Sequence, residues 1–597
     1  MSPRRYHLGG KPQRAGFAGG GSLLALASIV AACGGELDGR PDAAAVDAGL
    51  DAGAGPDGRV VDAGLDADLE DCPARVPFGA DPGATFDRLA SAIESVQHIS
   101  HDGLARLGTS WVEERDRARQ RFVGACSLED AYLALVSLGN SFHDAHSRLW
   151  ALDPELVPSL PPVMIDLSVR AEVEGDDVRY VVTRSGVTEI PVGSMVRGMD
   201  REAARTLERD HVEWFAMGSS PDGLRTDLAR WMTHRFPWAE PTPRPGDTSA
   251  LEIVRPDEMA TVVELEWEEP PPGGGPGAGC PPFGWACAEG SDDYEEMEAE
   301  LTGINYCVYE TDEPDLRIVR YRSFYYPAPW DEEEIACLVP RLDDLSYELT
   351  EAELRSMRGP MDVMRRDEEE LLEALELAGV RRLLFDVREN GGGDFDPELA
   401  GHFTRAAYRI PTKAFYYAPA FVADPALIRQ ADIYLATVDG DPISDPAGRI
   451  IDWLADHPDA TYSRPFAFFC RTDDCSAEEA TYEPSDRAAP FETVVLTGPG
   501  CLSSCDDFVS IMRDNGIART AGSPSGAADS PFRYESVLPL EDGTELRIVQ
   551  TVGVSFRPGL DDVTLEAHPP PVDFPVPPTA ENRGRMLDAV LAAVSWD

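Results

Sequence analysis

Apolar residues recur along this chain with two different periods, and the change between them divides it. Phe86, Leu89, Ile93 and Val96 follow Asp81-Pro82 at helical spacing, with Pro where a first helical turn tolerates it. Ser127 to Asp130 reads as a capping box for a second helix bearing Ala131, Leu135 and Leu138, ended by Gly139-Asn140. Phe142 to Trp150 reads as a loop at that helix exit. From about 160 to 268 the pattern turns short and alternating. Arg179 to Thr183 and Thr261 to Leu265 read as strands, and Pro191 to Glu202 as a turn segment between them. Pro270 to Gly279 is a Pro/Gly linker. Beyond 314, strands and helices alternate. Leu316 to Tyr321 is a strand, and Glu332 to Leu377 holds one or two helices. Leu383 to Val387 is a buried strand leading into Gly391-Gly392-Gly393 and a helix near Leu399. Thr493 to Leu496 is another, followed by a tight turn and a helix to Arg513. Buried strands feeding loops and helices predict an α/β core whose sites form at the strand ends.

The first 33 residues read differently. Arg4, Arg5, Lys11 and Arg14 precede a short apolar run, Leu23 to Ala32, too short to span a bilayer. The run ends Val30-Ala31-Ala32-Cys33, which resembles a bacterial lipobox with Cys33 as the lipidated residue. Residues 34–72 are rich in Asp, Ala and Gly and repeat VDAGLDA at Val46 and Val61. The Asp spacing lacks the alternation of a calcium loop, so this stretch reads as a disordered tether. The predicted organisation is a lipoprotein signal peptide (1–33), a tether (34–72), a helical segment (73–159), a β domain (160–268), a Pro/Gly- and Cys-containing linker (269–313) and an α/β core (314–597).

Charge and cysteine count narrow the function classes. A formal net charge of -55 excludes a nucleic-acid groove, which needs clustered Lys and Arg, and would be repelled by an anionic membrane surface. Of 11 cysteines, all but Cys33 lie beyond the signal, and an even remainder in an exported chain predicts disulfides. Close spacing favours Cys280–Cys287 and Cys470–Cys475. Cys501 and Cys505 flank a Ser-Ser pair, where a disulfide would tie down the turn.

Three segments carry a family resemblance. Leu384-Phe385-Asp386-Val387-Arg388-Glu389-Asn390-Gly391-Gly392-Gly393 is similar to the "iiDlRgNgGG" segment of C-terminal-processing (tail-specific) serine peptidases. Val495-Leu496 through Ser503-Ser504-Cys505-Asp506 to Arg513-Asp514-Asn515-Gly516, followed by Gly522 to Gly526, resembles their "vvLvn…SASE…lqdng…vGepT.G". Leu565-Glu566-Ala567-His568-Pro569 to Val576 is similar to "iEg.GV.PDi.V". The resemblance covers roughly residues 80 to 595, in order. It implies a peptidase core of βα units (ClpP/crotonase-like), an inserted PDZ-like β domain in 160–268, peptide or protein substrates, and no metal or organic cofactor.

The same resemblance assigns roles. Ser503 is the implied nucleophile, Ser504 supplies an oxyanion N–H and is the alternative nucleophile, and Gly392 is the second oxyanion donor. Read alone, Ser503 would be an ordinary helix N-cap and the glycines an ordinary turn. The lysine that many of these enzymes use as base is replaced by Ala528, and Lys413 stands in another segment. The tricorn-like branch takes its base from an earlier segment, and Asp144-Ala145-His146-Ser147-Arg148-Leu149 resembles its "DgHt.l" motif. His146 is thus the implied general base and Glu566 the acidic partner. His143 and His146 lack a third ligand at metal-site spacing. The resulting expectation is a cell-envelope serine peptidase anchored through Cys33, by family rule in the outer membrane. The alternative is a non-catalytic ligand- or peptide-binding lipoprotein on the same fold, for which the missing Lys and the altered Ser-Ser-Cys-Asp leave room.

Overall fold

The structure is a computed structural model. It describes most of residues 81–596; residues 1–80 and several internal stretches, among them 143–145, 152–160, 211–219, 236–241, 270–291, 325–331, 528–531, 540–544 and 566–567, lie outside the described residues. The signal, the lipobox and the tether therefore fall outside it, as do Glu566, Ala528 and the Cys280–Cys287 pair.

The N-terminal helices form where local chemistry predicts. Asp81 caps Pro82–Glu94 by accepting from the Ala84 N–H at 3.0 Å. Ser127 and Asp130 cap Leu128–Asn140 reciprocally. With Trp111–Gly124, these helices bury Phe86, Leu89, Phe122 and Leu135 in one cluster. Leu546 and Ile548 complete that cluster from the opposite end of the sequence. Part of the expected loop 142–150 is a strand. Arg148–Ala151 pairs antiparallel with Leu546 to Val549, because a sheet edge 400 residues away supplies partners that no local pattern reveals.

The region 160–268 contains a sheet with strands in the order Leu167–Glu174, Asp177–Ser185, Met195–Met199, Thr248–Val254 and Ala260–Glu266. Asp200 and Arg201 take φ of 51° and 74°, which turns the chain back into Glu202–Ala203. Two helices, Ala204–Asp210 and Pro221–Trp231, also belong here, and the latter packs on the sheet beside Trp267.

A seven-stranded sheet organises the core. Its order is Ala299–Thr302, Tyr306–Glu310, Leu316–Tyr321, Arg382–Asp386, Glu492–Thr497, Arg519–Gly522 and Phe574–Pro575. The first two strands fall inside the stretch 269–313 expected as a linker; their buried Tyr306, Val308 and Tyr309 place that boundary nearer 298. From Leu316 onward every pairing is parallel, so the loops after Asp386 and Thr497 emerge side by side at one sheet edge. Among the described residues between Glu332 and Leu377 there are three α-helices, Glu332–Leu338, Glu351–Leu354 and Pro360–Leu377. The helix near Leu399 is a short 3-10 turn, Pro397–His402, capped by Asp396.

Disulfides join Cys470 to Cys475, as spacing predicted, and Cys501 to Cys505. Cys126 and Cys307 are disulfide-bonded as well. Among the described residues no helix is long and apolar enough to cross a membrane.

Candidate active site

Strand Glu492–Thr497 ends in a turn, Gly498 to Leu502, and helix Ser504–Asp514 starts immediately after. Ser503 stands between them with φ 61° and ψ −130°. An L-residue pays for positive φ with steric strain, and such conformations gather at functional sites. Ser503 sits at the N-cap position, yet its side chain makes no capping hydrogen bond. The ordinary reading of a serine here, a helix cap, does not describe this one. A serine on a sharp strand-to-helix turn is instead the geometry of a nucleophile elbow.

The glycine loop lies against it. Gly392 has φ 91°, and a Cβ built there would lie 2.5 Å from Ser503 Cβ and 3.0 Å from Ser503 Oγ. Leu502 N–H donates to the Asn390 carbonyl at 3.1 Å, tying the two turns together. The Asn390 side chain donates to the Tyr321 carbonyl at 3.1 Å and accepts from the Gly392 N–H at 2.9 Å. The Gly392 N–H is thus engaged, whereas the Gly393 and Ser504 N–H groups have no acceptor among the described residues. Ser504 Oγ donates to the Gly393 carbonyl, so this hydroxyl, the alternative nucleophile, clamps the loop.

Arg388 braces the same loop from below. It binds Asp386 through Nε at 2.9 Å and a terminal nitrogen at 2.6 Å, and it reaches Asp293 at 2.9 Å. Burial alone would raise the Asp386 carboxyl; Arg388 overrides it and holds the group below the ordinary carboxylate range. Burial, reinforced by Asp386, pushes the neighbouring Tyr294 hydroxyl well up, so it stays a donor to Asp386 at 2.7 Å. Beneath the helix, Phe508 packs on Phe324 and Phe385. These contacts give the turn a rigid floor.

Lys413 is fully buried in strand Thr412–Phe415, outside any role that sequence suggested for it. Its Nζ lies 3.1 and 3.2 Å from the two Asp507 carboxylate oxygens and donates to Ser555 Oγ at 2.7 Å. Asp507 is in the first turn of the Ser503 helix, and its N–H donates to the Ser503 carbonyl at 3.2 Å. The lysine therefore anchors the helix that carries the serine.

His146 is buried, 5% exposed. The next residue, Ser147, hydrogen-bonds Gln97 at 3.1 Å and accepts from the Thr551 N–H at 3.2 Å. Thr551 leads directly into strand Gly553–Phe556, where Ser555 meets Lys413, and Lys413 meets Asp507 on the Ser503 helix. These contacts link the Ser147 end of the His146 segment, through strand Gly553–Phe556 and Lys413, to the helix that follows Ser503. Glu566 lies outside the described residues; its neighbour Leu565 donates to the Ser555 carbonyl at 2.9 Å. Sequence reasoning missed Asp507 and gave no role to Asn390 and Ser147, although both stand in the matched segments. Asn390 alone carried a local signal, since Asn two residues before a glycine is an Asx-turn pattern.

The family model described as Peptidase family S41 matches residues 353–559. The chain carries a peptidase family S41 domain. This makes it a serine-type peptidase, acting on peptides or proteins. The S41 match takes in Gly392, Lys413 and Ser503; His146 and Glu566 fall outside it. Among solved structures, mature CPAF complexed with lactacystin is similar, at 14% identity and a TM-score of 0.55, covering 86% of this chain and 97% of that one. Mature CPAF alone gives 15% and 0.54, covering 85% and 94%. The photosystem II D1 C-terminal processing protease gives 12% and 0.35, covering 86% and 99%. The likeness to CPAF is one of fold, and it extends beyond the S41 segment to most of the chain. No curated protein matches the chain.

Proposed function

We propose that this S41 peptidase hydrolyses peptide bonds through an acyl-enzyme on Ser503, with His146 as general base and Glu566 orienting it. The observation that carries the reading is the uncapped, positive-φ Ser503 at a helix N-terminus, pressed against Gly392. Ser503 Oγ attacks the scissile carbonyl carbon while its proton passes to His146. The carbonyl oxygen becomes an oxyanion beside the helix N-terminus, where backbone N–H groups and the helix dipole favour negative charge. Ser504 N–H is one donor. With the Gly392 N–H held by Asn390, Gly393 is the second donor we favour, and Gly392 shapes the space. The C–N bond then breaks as the leaving amine takes the proton from His146. Water attacks the ester, giving a proton to His146, and Ser503 Oγ recovers it on release.

Cys33 anchors the enzyme to the cell envelope in this reading, the acidic tether spaces it from the membrane, and the outer membrane is its site. The 160–268 sheet serves as a PDZ-like module for a substrate tail. A fluorophosphonate probe tests the chemistry: wild type should label at Ser503 and Ser503→Ala should not. A folded wild type that takes no probe and cleaves no peptide would instead be a ligand- or peptide-binding protein. Cys33→Ala should abolish lipid labelling and release the protein from membranes; unchanged membrane association refutes the anchor.

A further inference from the structure

Ser503 is held in a backbone conformation that an L-residue keeps only under restraint, and a covalent ring surrounds it. Cys501 and Cys505 are disulfide-bonded with their Cα atoms 5.2 Å apart, and both are fully buried. The ring they close contains only Leu502, Ser503 and Ser504 between them. Hydrogen bonds fix its two ends. Cys501 N–H donates to the Gly498 carbonyl and its own carbonyl accepts from Gly526 N–H, each at 2.9 Å; Cys505 N–H donates to the Leu502 carbonyl at 3.1 Å. A non-glycine residue in this region is disfavoured by roughly five- to a hundredfold against ordinary backbone. The Ser503 side chain makes no capping hydrogen bond that would offset that.

We infer that the Cys501–Cys505 disulfide is a positioning element for catalysis: it holds Ser503 in the attacking conformation, so turnover depends on the intact bond. The inference rests on Ser503 being the nucleophile. Neither sulfur touches substrate in this account. When a dithiol such as dithiothreitol delivers two electrons and two protons, the S–S bond becomes two thiols and the reagent leaves as its cyclic disulfide. The opened turn can then relax toward negative φ, and only a minor fraction of molecules presents Ser503. Peptide-binding surfaces are unaltered, so kcat falls while KM holds.

The Cys470–Cys475 bond is an internal control. It is also buried and closes a ring of similar size, but that ring does not contain Ser503. The experiment compares Cys501→Ala/Cys505→Ala with Cys470→Ala/Cys475→Ala in the full chain, normalised to folded protein by circular dichroism. The first should lose about five- to a hundredfold in kcat with KM within about threefold, and the rate of fluorophosphonate labelling should fall in parallel. The second should keep its kcat. Equal kcat in the two folded variants overturns the inference. Should the 501/505 variant not fold, wild type is treated with dithiothreitol and iodoacetamide, with urea raised only until alkylation at 501 and 505 begins. Activity must then fall in step with alkylation of those residues; activity retained by doubly alkylated, folded molecules overturns the inference too. Mapping the fluorophosphonate adduct separates the two claims, since an adduct elsewhere, or an active Ser503→Ala, refutes the nucleophile whatever the disulfide does.

Discussion

Replacing Gly392 by Ala tests the site geometry with one methyl group. The new Cβ would lie 2.5 Å from Ser503 Cβ, 2.7 Å from the Leu502 carbonyl oxygen and 3.0 Å from Ser503 Oγ. Carbon atoms in contact prefer about 3.5–4.0 Å, so Ser503 or the loop must move by about 1 Å. Two of the three neighbours belong to the reacting residue, and the third is backbone, so no flexible side chain can absorb the shift. Gly392 also has φ 91°, which strains any Cβ-bearing residue. A displacement of this size at a nucleophile costs on the order of 100-fold in kcat. The strain and overlap should cost about 1–3 kcal/mol of stability. Gly391→Ala is the matched control: its Cβ would meet nothing within 4 Å, and its φ is unexceptional. Both changes stiffen the same loop, so only the steric argument separates them. Peptide hydrolysis and fluorophosphonate labelling rates, with thermal melting alongside, should show Gly392→Ala down by about 100-fold or more and Gly391→Ala within about threefold. Equal losses in the two variants, or a Gly392→Ala enzyme near wild-type rate, would refute the apposition of glycine loop and serine.

Three further outcomes are expected. His146→Ala should lose several orders of magnitude in kcat, and combining it with Ser503→Ala should add almost nothing, because nucleophile and base act as a unit; additive losses in the kinetics would dissociate them. Lys413→Ala should cost about 3–5 kcal/mol in denaturant melts by leaving Asp507 buried without its partner, and Lys413→Met with Asp507→Leu should recover most of it; a stable, unmelted single variant would contradict the anchoring role. Glu368 is buried beside Asp396 and Asp367, and burial first, then those charges, raise its carboxyl well above the usual range. The folded state therefore holds a proton that the unfolded chain releases above about pH 4.5, so this group lowers stability as pH rises from there toward its folded value. Glu368→Gln should raise Tm at pH 8 and have little effect near pH 4; an equal change at both would refute the shift.

Much of the local architecture was legible because its causes are local. The Asp81 and Ser127 caps, the strand ending at Asp386 and the helix to Asp514 follow from side chains within a few residues of each other. Cys470 and Cys475 lie close enough in sequence that their bond follows from spacing. The family resemblance pointed to Ser503, whereas the strand-turn-serine-helix succession by itself reads as an N-cap; the missing cap bond and the positive φ are backbone facts that depend on what surrounds the turn.

The rest waited on contacts between distant segments. Arg148–Ala151 has too little pattern to announce a strand, and becomes one only because Leu546 to Val549 offers a free edge. Ala299–Glu310 looked like linker because its strands are short and follow a Pro/Gly stretch, and the central sheet recruits them by burying their aromatic side chains. Lys413 looked unattached to the chemistry in sequence; its partners Asp507 and Ser555 lie 94 and 142 residues away. Sequence by itself determined that a serine would stand at a strand-to-helix turn, since capping and strand burial act over a few residues, and the family resemblance alone made that serine a nucleophile. Tertiary structure alone decided what braces that turn and what holds the segment after His146, because a buried charge or polar group must find its partner wherever the chain has folded to supply one.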